Sequence, residues 1–182
     1  MLKVMRLNLP EVLLLKYPVN QDNRSIFHIT FSKELLHQAG VKNEFIEEIT
    51  YHPVKKNTFY GIHFQNHPKA QAKLIHCTKG RILDFAVDLR KTSSNYKKWV
   101  SVELNADNKR HLYIPSGFGH AALTLDDDAT IVMRIDNHFD PLLSRAIRYN
   151  DPAVALSLDV LNPILSAQDM DAPFLKDCDI NL

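Results

Sequence analysis

Four side chains able to carry a proton, a metal or an anion crowd one short stretch, GIHFQNHPKAQAKLIHCTKG: His63, His67, Lys73 and His76 fall within fourteen residues. A histidine enclosed in a pocket can serve as a general base near neutral pH. A carboxylate behind it would fix its tautomer and stabilise the imidazolium. A lysine opposite would stabilise an oxyanion. His63 and Lys73 are the candidates for base and cation, and spacing alone leaves the carboxylate open. Taken singly, a histidine or lysine on a strand is more often a solvated face residue.

A metal centre is the competing chemistry. His63 and His67 lie four apart, which is ligand spacing only on a helix, and Pro68 makes this stretch a poor one. A strand needs ligands at i and i+2, and no His-x-His occurs. His63 and His120 can meet across a barrel, which supplies two ligands; His76 would make a third in a metal-dependent alternative. Base and cation chemistry of this kind calls for no metal and no other cofactor. In IPSGFGH, Pro115, Gly117 and His120 form a P-x-G-x-x-H turn that sets a histidine at a barrel mouth. That turn resembles the second cupin motif; a hairpin with a structural histidine is the plainer reading.

The elements that must position these groups are strands. In RILDFAVDLR, Leu83, Phe85, Val87 and Leu89 share one face, and Ile82, Asp84, Ala86 and Asp88 the other. In WVSVEL, Val100, Val102 and Leu104 alternate with Trp99, Ser101 and Glu103, and HLYIP and TIVMRID read as further short strands. KTSSN, NADNK, PSG and LDDDA supply turns between them. The pattern predicts an all-β fold: an antiparallel sandwich, barrel or jelly roll. One early helix is expected in SKELLHQAG, capped by Ser32, ended at Gly40, with Leu35, Leu36 and Ala39 inward. The tail over 152–182, with Pro152, Pro163 and Pro173, reads as loops and short helices packed on the barrel.

The 182 residues suit one domain over 1–182, and 45% hydrophobic content is enough for a core. A net charge of +1, from 22 basic and 21 acidic side chains, offers no broad field for nucleic acid or a membrane surface. An anionic ligand must therefore be held by a few placed cations. Cys77 and Cys178 make no disulfide framework and read as reduced thiols of a cytoplasmic protein. LPEVLLLKYP carries Glu11 and Lys16 between prolines, too short and too charged for a signal core or a membrane span.

Four stretches, in order, resemble the motifs of one family. YGIHFQ, PKAQAKL, DFAVDLR and IPSGFGHAA are similar to the R-G-L-H-F-Q, P-x-A-Q-G-K-L, D-V-A-V-D-L-R and I-P-x-G-F-A-H-G-F of the dTDP-4-dehydrorhamnose 3,5-epimerases. DNRSIF, AIRYNDPAV and ILSAQD resemble the flanking D-x-R-G-x-F, G-I-x-W-D-D-P and L-S-x-K-D, so the resemblance spans residues 22–171. It implies a cupin-type jelly roll without a catalytic metal, dimerising with itself by exchange of N-terminal strands within residues 1–50. It implies a nucleotide-diphosphate-linked 4-keto-6-deoxy sugar as substrate, inverted at C3, C5 or both. The setting would be surface-polysaccharide (lipopolysaccharide) or deoxysugar biosynthesis. By matched position, His63 is the base, Asp169 its orienting carboxylate, Lys73 the cation at the enolate oxygen, and His120 a pocket wall. Arg24 matches an arginine that binds the diphosphate and Phe27 an aromatic near the nucleotide. Arg148 is a further cation candidate, and His76 joins the pocket set.

Three departures bear on the chemistry. The family's proton-donor tyrosine, in L-Y-K-x-T-x-Y-Y, is Met133 in VMRIDNHFD, and its Tyr-Tyr pair is His138-Phe139. Methionine has no proton to give. Either His138, another residue or water replaces it, or one epimerisation is lost, or the chain binds a nucleotide sugar without turning it over. The arginine before G-L-H-F is Tyr60, a relocated acid in principle, but its offset from His63 sets the two on opposite faces of a regular strand. Q-x-N-x-S becomes EITYH, with Glu48, Thr50 and His52, and the polar residue after D-x-R-G-x-F becomes Ile29. Glu48 and Tyr60 thus stand among the substrate contacts. With those partners changed, a UDP, GDP or CDP sugar competes with a thymidine one.

Overall fold

A computed structural model describes residues 2–182. Strands and turns alternate as the sequence pattern requires. In chain order come β1 (Lys3–Arg6), β2 (Leu13–Lys16), β3 (Val19–Gln21), β4 (Ile26–His28), the helix α1 (Lys33–Gln38), β5 (Glu47–Tyr51) and β6 (Phe59–Gln65). β7 (Lys73–Lys79), β8 (Arg81–Asp88), β9 (Trp99–Asn105), β10 (Arg110–Ile114), β11 (Phe118–Thr124), β12 (Thr130–Ile135) and β13 (Ser144–Ile147) complete the strands. A short helix, α2 (Ala167–Met170), and a single 3-10 turn at Leu175–Asp177 follow in the tail.

Two antiparallel sheets face each other. One has six strands in the order β1-β2-β10-β7-β12-β5, and the other five in the order β13-β6-β11-β8-β9. β3 and β4 form a separate hairpin. The fold is a jelly roll, one of the three all-β architectures that the alternation and turns allow and the one that the family resemblance implies.

Both faces of the five-stranded sheet are covered along β8, which explains why that strand buries side chains on each. Ile82 and Ala86 face the space between the sheets, with Ile75, Leu104, Leu112 and Ile131. Phe85, Val87 and Leu89 point the other way, where Phe59, Val154 and Leu175 cover them. The tail therefore seals the outside of the five-stranded sheet. Outside the six-stranded sheet, Leu15, Tyr17, Leu74 and Tyr113 pack under Leu36 and Val41. Helix α1 begins as expected: the Ser32 hydroxyl accepts the Leu35 N–H at 3.3 Å, and Gly40 follows the helix at φ +90°.

The β3–β4 hairpin is the exception to this burial. Ile26 and Phe27 are 60% and 53% exposed, with Val19 and Ile29 exposed beside them. The turn before β11 is pinned from below. Gly117 has φ +91°, and a Cβ there would come within 2.7 Å of Arg90 Cγ. Arg90 is itself held by Asp88 at 2.7 Å and Glu11 at 2.9 Å.

Phe85 lies in the sealed layer, edge-on to Phe59 and Trp99. Phe85→Ala is expected to cost about 3–5 kcal/mol of stability, read as a lowered denaturation midpoint at unchanged slope.

Candidate functional site

The site starts from an irregularity in β6. His63 stands opposite His120 on β11, but Tyr60, not Gly61, stands opposite Ala122. One strand spends an extra residue, which is a β-bulge. Its effect is to turn Tyr60 and His63 to the same, inner side, while Phe59, Ile62 and Phe64 pack outward. The regular-strand expectation that they point apart is thus corrected by the bulge. Gly61 is required there for space: a Cβ would sit 2.9 Å from Asp169 Cγ and overlap the carboxylate.

Asp169 arrives on α2 from the tail. Its Oδ1 lies 2.6 Å from His63 Nε2. Ser166 holds it from behind, accepting the Asp169 N–H at 3.1 Å and donating to Oδ2 at 2.9 Å. Burial raises the Asp169 carboxyl. The hydrogen bond and charge of His63, the Ser166 hydroxyl and the Gly61 N–H outweigh it and hold the carboxyl below its ordinary range. Asp169 is therefore ionised at neutral pH. With Nε2–H given to that carboxylate, the His63 lone pair is on Nδ1.

The facing wall is the six-stranded sheet, from which Lys73, Met133 and Tyr51 line the same cavity. Lys73 is 6% exposed. Burial lowers its pKa to about 8, against the opposing pull of Asp84. Asp84 is fully buried, and His120 Nε2 lies 3.0 and 3.1 Å from its two oxygens. The interior thus holds two histidine–carboxylate pairs around one buried cation. The cavity of 180 Å³ includes Tyr60 and His120. It shares Tyr51, His63, Lys73 and Met133 with a second compartment of 210 Å³ that reaches Gln65 and Phe139. Jointly they fall in the range of small-molecule sites, roughly 300–1,000 Å³.

Other sequence candidates lie elsewhere. Glu48 does not face the cavity: side chains alternate along β5, Ile49 and Tyr51 point in, and Glu48 points out to pair with Arg134. His76 also points out, since Lys73 and Ile75 take the inner positions of β7. It stacks on His111 with centroids 4.3 Å apart, and burial pushes its pKa down to about 4. His63, His76 and His120 therefore do not converge. Among the described residues, no group of three or more His, Cys, Asp or Glu is placed to hold a metal. His138 is 74% exposed and sits 3.0 Å from Glu47, outside the cavity. Arg24, paired with Asp22, and Phe27 lie on the exposed hairpin and do not meet the cavity of their own chain. Arg148 anchors the tail, donating to the Ala172 and Met170 carbonyls at 3.0 Å each and stacking over Phe174.

Two residues escaped the sequence reading. Asp84 had a signal, a charge on the apolar face with Ile82 and Ala86, because a buried carboxylate needs a partner. Tyr51 had none, since the inner face of β5 is set by its pairing to β12.

A jelly roll whose interior opposes a histidine–carboxylate pair to a buried cation has the layout of a cupin-type epimerase. A profile of dTDP-4-dehydrorhamnose 3,5-epimerase matches residues 6–177. The protein of that name from Shigella flexneri is 35% identical over 179 residues, 98% of each chain. The crystal structure of the Bacillus anthracis protein of that name, with TDP and PPi bound, has a TM-score of 0.93 at 34% identity, covering 96% of this chain and 100% of that one. A 3'-monoepimerase from Streptomyces bikiniensis in complex with dTDP-quinovose has a TM-score of 0.86 at 28% identity, covering 94% of this chain and 87% of that one. The chain belongs to the dTDP-4-dehydrorhamnose 3,5-epimerase family, and it is a nucleotide-sugar epimerase of carbohydrate biosynthesis.

Lys73 is charged below about pH 8 and neutral above it. If the ammonium stabilises an oxyanion, kcat/KM falls as pH rises through that value. Lys73→Met is expected to lose this alkaline limb and to run roughly 10²–10³-fold slower, measured as a pH–rate profile.

Proposed function

We propose that the chain epimerises a nucleotide-diphosphate-linked 4-keto-6-deoxy sugar by enolisation beside the ketone. His63 removes the proton at C3 or C5, Asp169 fixes its tautomer, and Lys73 carries the charge on the enolate oxygen. A proton returned to the opposite face inverts the carbon. The observation that carries this reading is the 2.6 Å His63–Asp169 contact on one wall of a cavity whose other wall presents Lys73. Met133 in the family donor's place favours inversion at one carbon, and the Streptomyces bikiniensis relative is a precedent for a monoepimerase.

The working unit is a homodimer that exchanges its N-terminal strands. The exposed Ile26 and Phe27 support this, because an apolar hairpin tip left in water is costly. In that dimer Arg24 and Phe27 would serve the partner's cavity, at the diphosphate and nucleotide. With Tyr60 in place of a fixed cation, the nucleotide base is open among dTDP, UDP, GDP and CDP. Both cysteines are free thiols, in keeping with work in the cytoplasm; among the described residues no helix is long and apolar enough to cross a membrane.

Proton NMR in heavy water with a panel of these nucleotide 4-keto-6-deoxy sugars tests the chemistry. Wild type is expected to wash out the C3 or C5 proton signal, and His63→Ala to lose at least about 10²-fold of that rate. A sugar that binds while neither carbon exchanges would leave a binding protein without turnover. For the assembly, Phe27→Asp is expected to convert dimer to monomer in light scattering and to raise KM; a dimer of unchanged mass rejects the exchange.

A further inference from the structure

Inversion requires a base on one face of the enolate and an acid on the other. His63 stands on β6, in the five-stranded sheet. The polar side chains that the facing sheet sends into the cavity of 180 Å³ are Lys73 from β7 and Tyr51 from β5; Met133 from β12 stands beside them. Lys73 is committed to the ketone oxygen and Met133 holds no acidic proton, which leaves the Tyr51 phenol on that wall. Tyr51 pairs with Ile131, two residues from Met133, so it stands diagonally beside the family donor's position. Its ring meets Tyr60 edge-on, with centroids 5.4 Å apart and planes at 64°. Tyr60 sits on the same strand as His63, turned inward by the bulge, so it is on the wrong wall to act as the opposing acid but well placed to fix the Tyr51 ring.

We infer that Tyr51 is the proton donor that replaces the missing tyrosine, with Tyr60 positioning it. The assignment rests on the proposed enolisation. His63 Nδ1 takes the proton as the C–H bond breaks; its electron pair forms the C=C bond, and the ketone oxygen becomes an oxyanion beside Lys73. The Tyr51 O–H bond then breaks, its proton bonds to the opposite face of the carbon, and the ketone is restored. Solvent reprotonates the tyrosinate as the His63 imidazolium gives up its proton, so the cycle closes without a co-reactant. Burial raises the pKa of both phenols, so each enters the cycle protonated.

The test uses the full-length protein and the sugar of the panel that wild type inverts. Proton NMR in heavy water separates exchange at carbon from change of configuration. In Tyr51→Phe, His63-dependent exchange is expected to continue with retained configuration while inversion falls at least about a hundredfold. The double variant Tyr51→Phe with Met133→Tyr is expected to recover inversion by returning a phenol to the wall. Tyr60→Phe, which keeps the ring against Tyr51 but alters a cavity contact, is expected to keep the wild-type ratio of inversion to exchange whatever its KM. Inversion at the wild-type rate in Tyr51→Phe overturns the assignment. So does loss of exchange together with inversion in that variant, or exchange without inversion in Tyr60→Phe. A wild type that exchanges no proton on any sugar of the panel fails at the earlier step and removes the enolisation and the donor together.

Discussion

The hydrogen bond between His63 and Asp169 is the constraint around which the rest is arranged. It joins residues 106 apart in sequence, one on a central strand and one on a four-residue helix of the tail. Such a helix has no stability of its own. Its position comes from the Ser166 cap, from the Arg148 guanidinium on the carbonyls that follow, and from the apolar tail sealed against Phe85 and Val87. On the strand side, the bulge and Gly61 make room. Packing on the outside of the sheet thus sets the chemistry on its inside.

The interior is costly to build. Lys73 and Asp84 are almost or wholly out of water, and a buried charge is destabilising unless partnered. Asp84 answers to His120, and its field also reaches Lys73, moderating the loss of that lysine's charge. The arrangement trades stability for a cation held ready near neutral pH, a local exception to core rules of the kind expected at a working site.

The fold could be read from period-two alternation and turn residues because each is a local signal. RILDFAVDLR predicts a strand with two sorted faces, and Leu83, Phe85 and Val87 do separate from Ile82 and Ala86. The site was readable where motif and register agreed: His63, Lys73, His120 and Met133 meet at one cavity, and Asp169 closes on His63 from behind. It failed where register decides direction. Glu48 and His76 each lie one step out of phase with the cavity, and a one-residue shift carries a side chain through the sheet. Tyr60 was misjudged for the converse reason, since a bulge is a break in periodicity. Arg148 was read as a cation for a ligand when carbonyl groups of its own chain occupy it. Arg24 and Phe27 lie beyond what one chain can place, because their cavity, on the exchange reading, belongs to another copy.

The distance in sequence between the two halves of the dyad has a consequence for synthesis on the ribosome. Growth of the chain is vectorial, and β6 emerges long before residues 166–169. Until the tail is released, His63 lacks Asp169, and Phe59, Phe64 and Phe85 on the outer face of the five-stranded sheet lack the cover of Val154, Leu165 and Leu175. The nascent barrel therefore passes through a stage with half a dyad and a bare apolar face, and arrival of the tail ends both conditions.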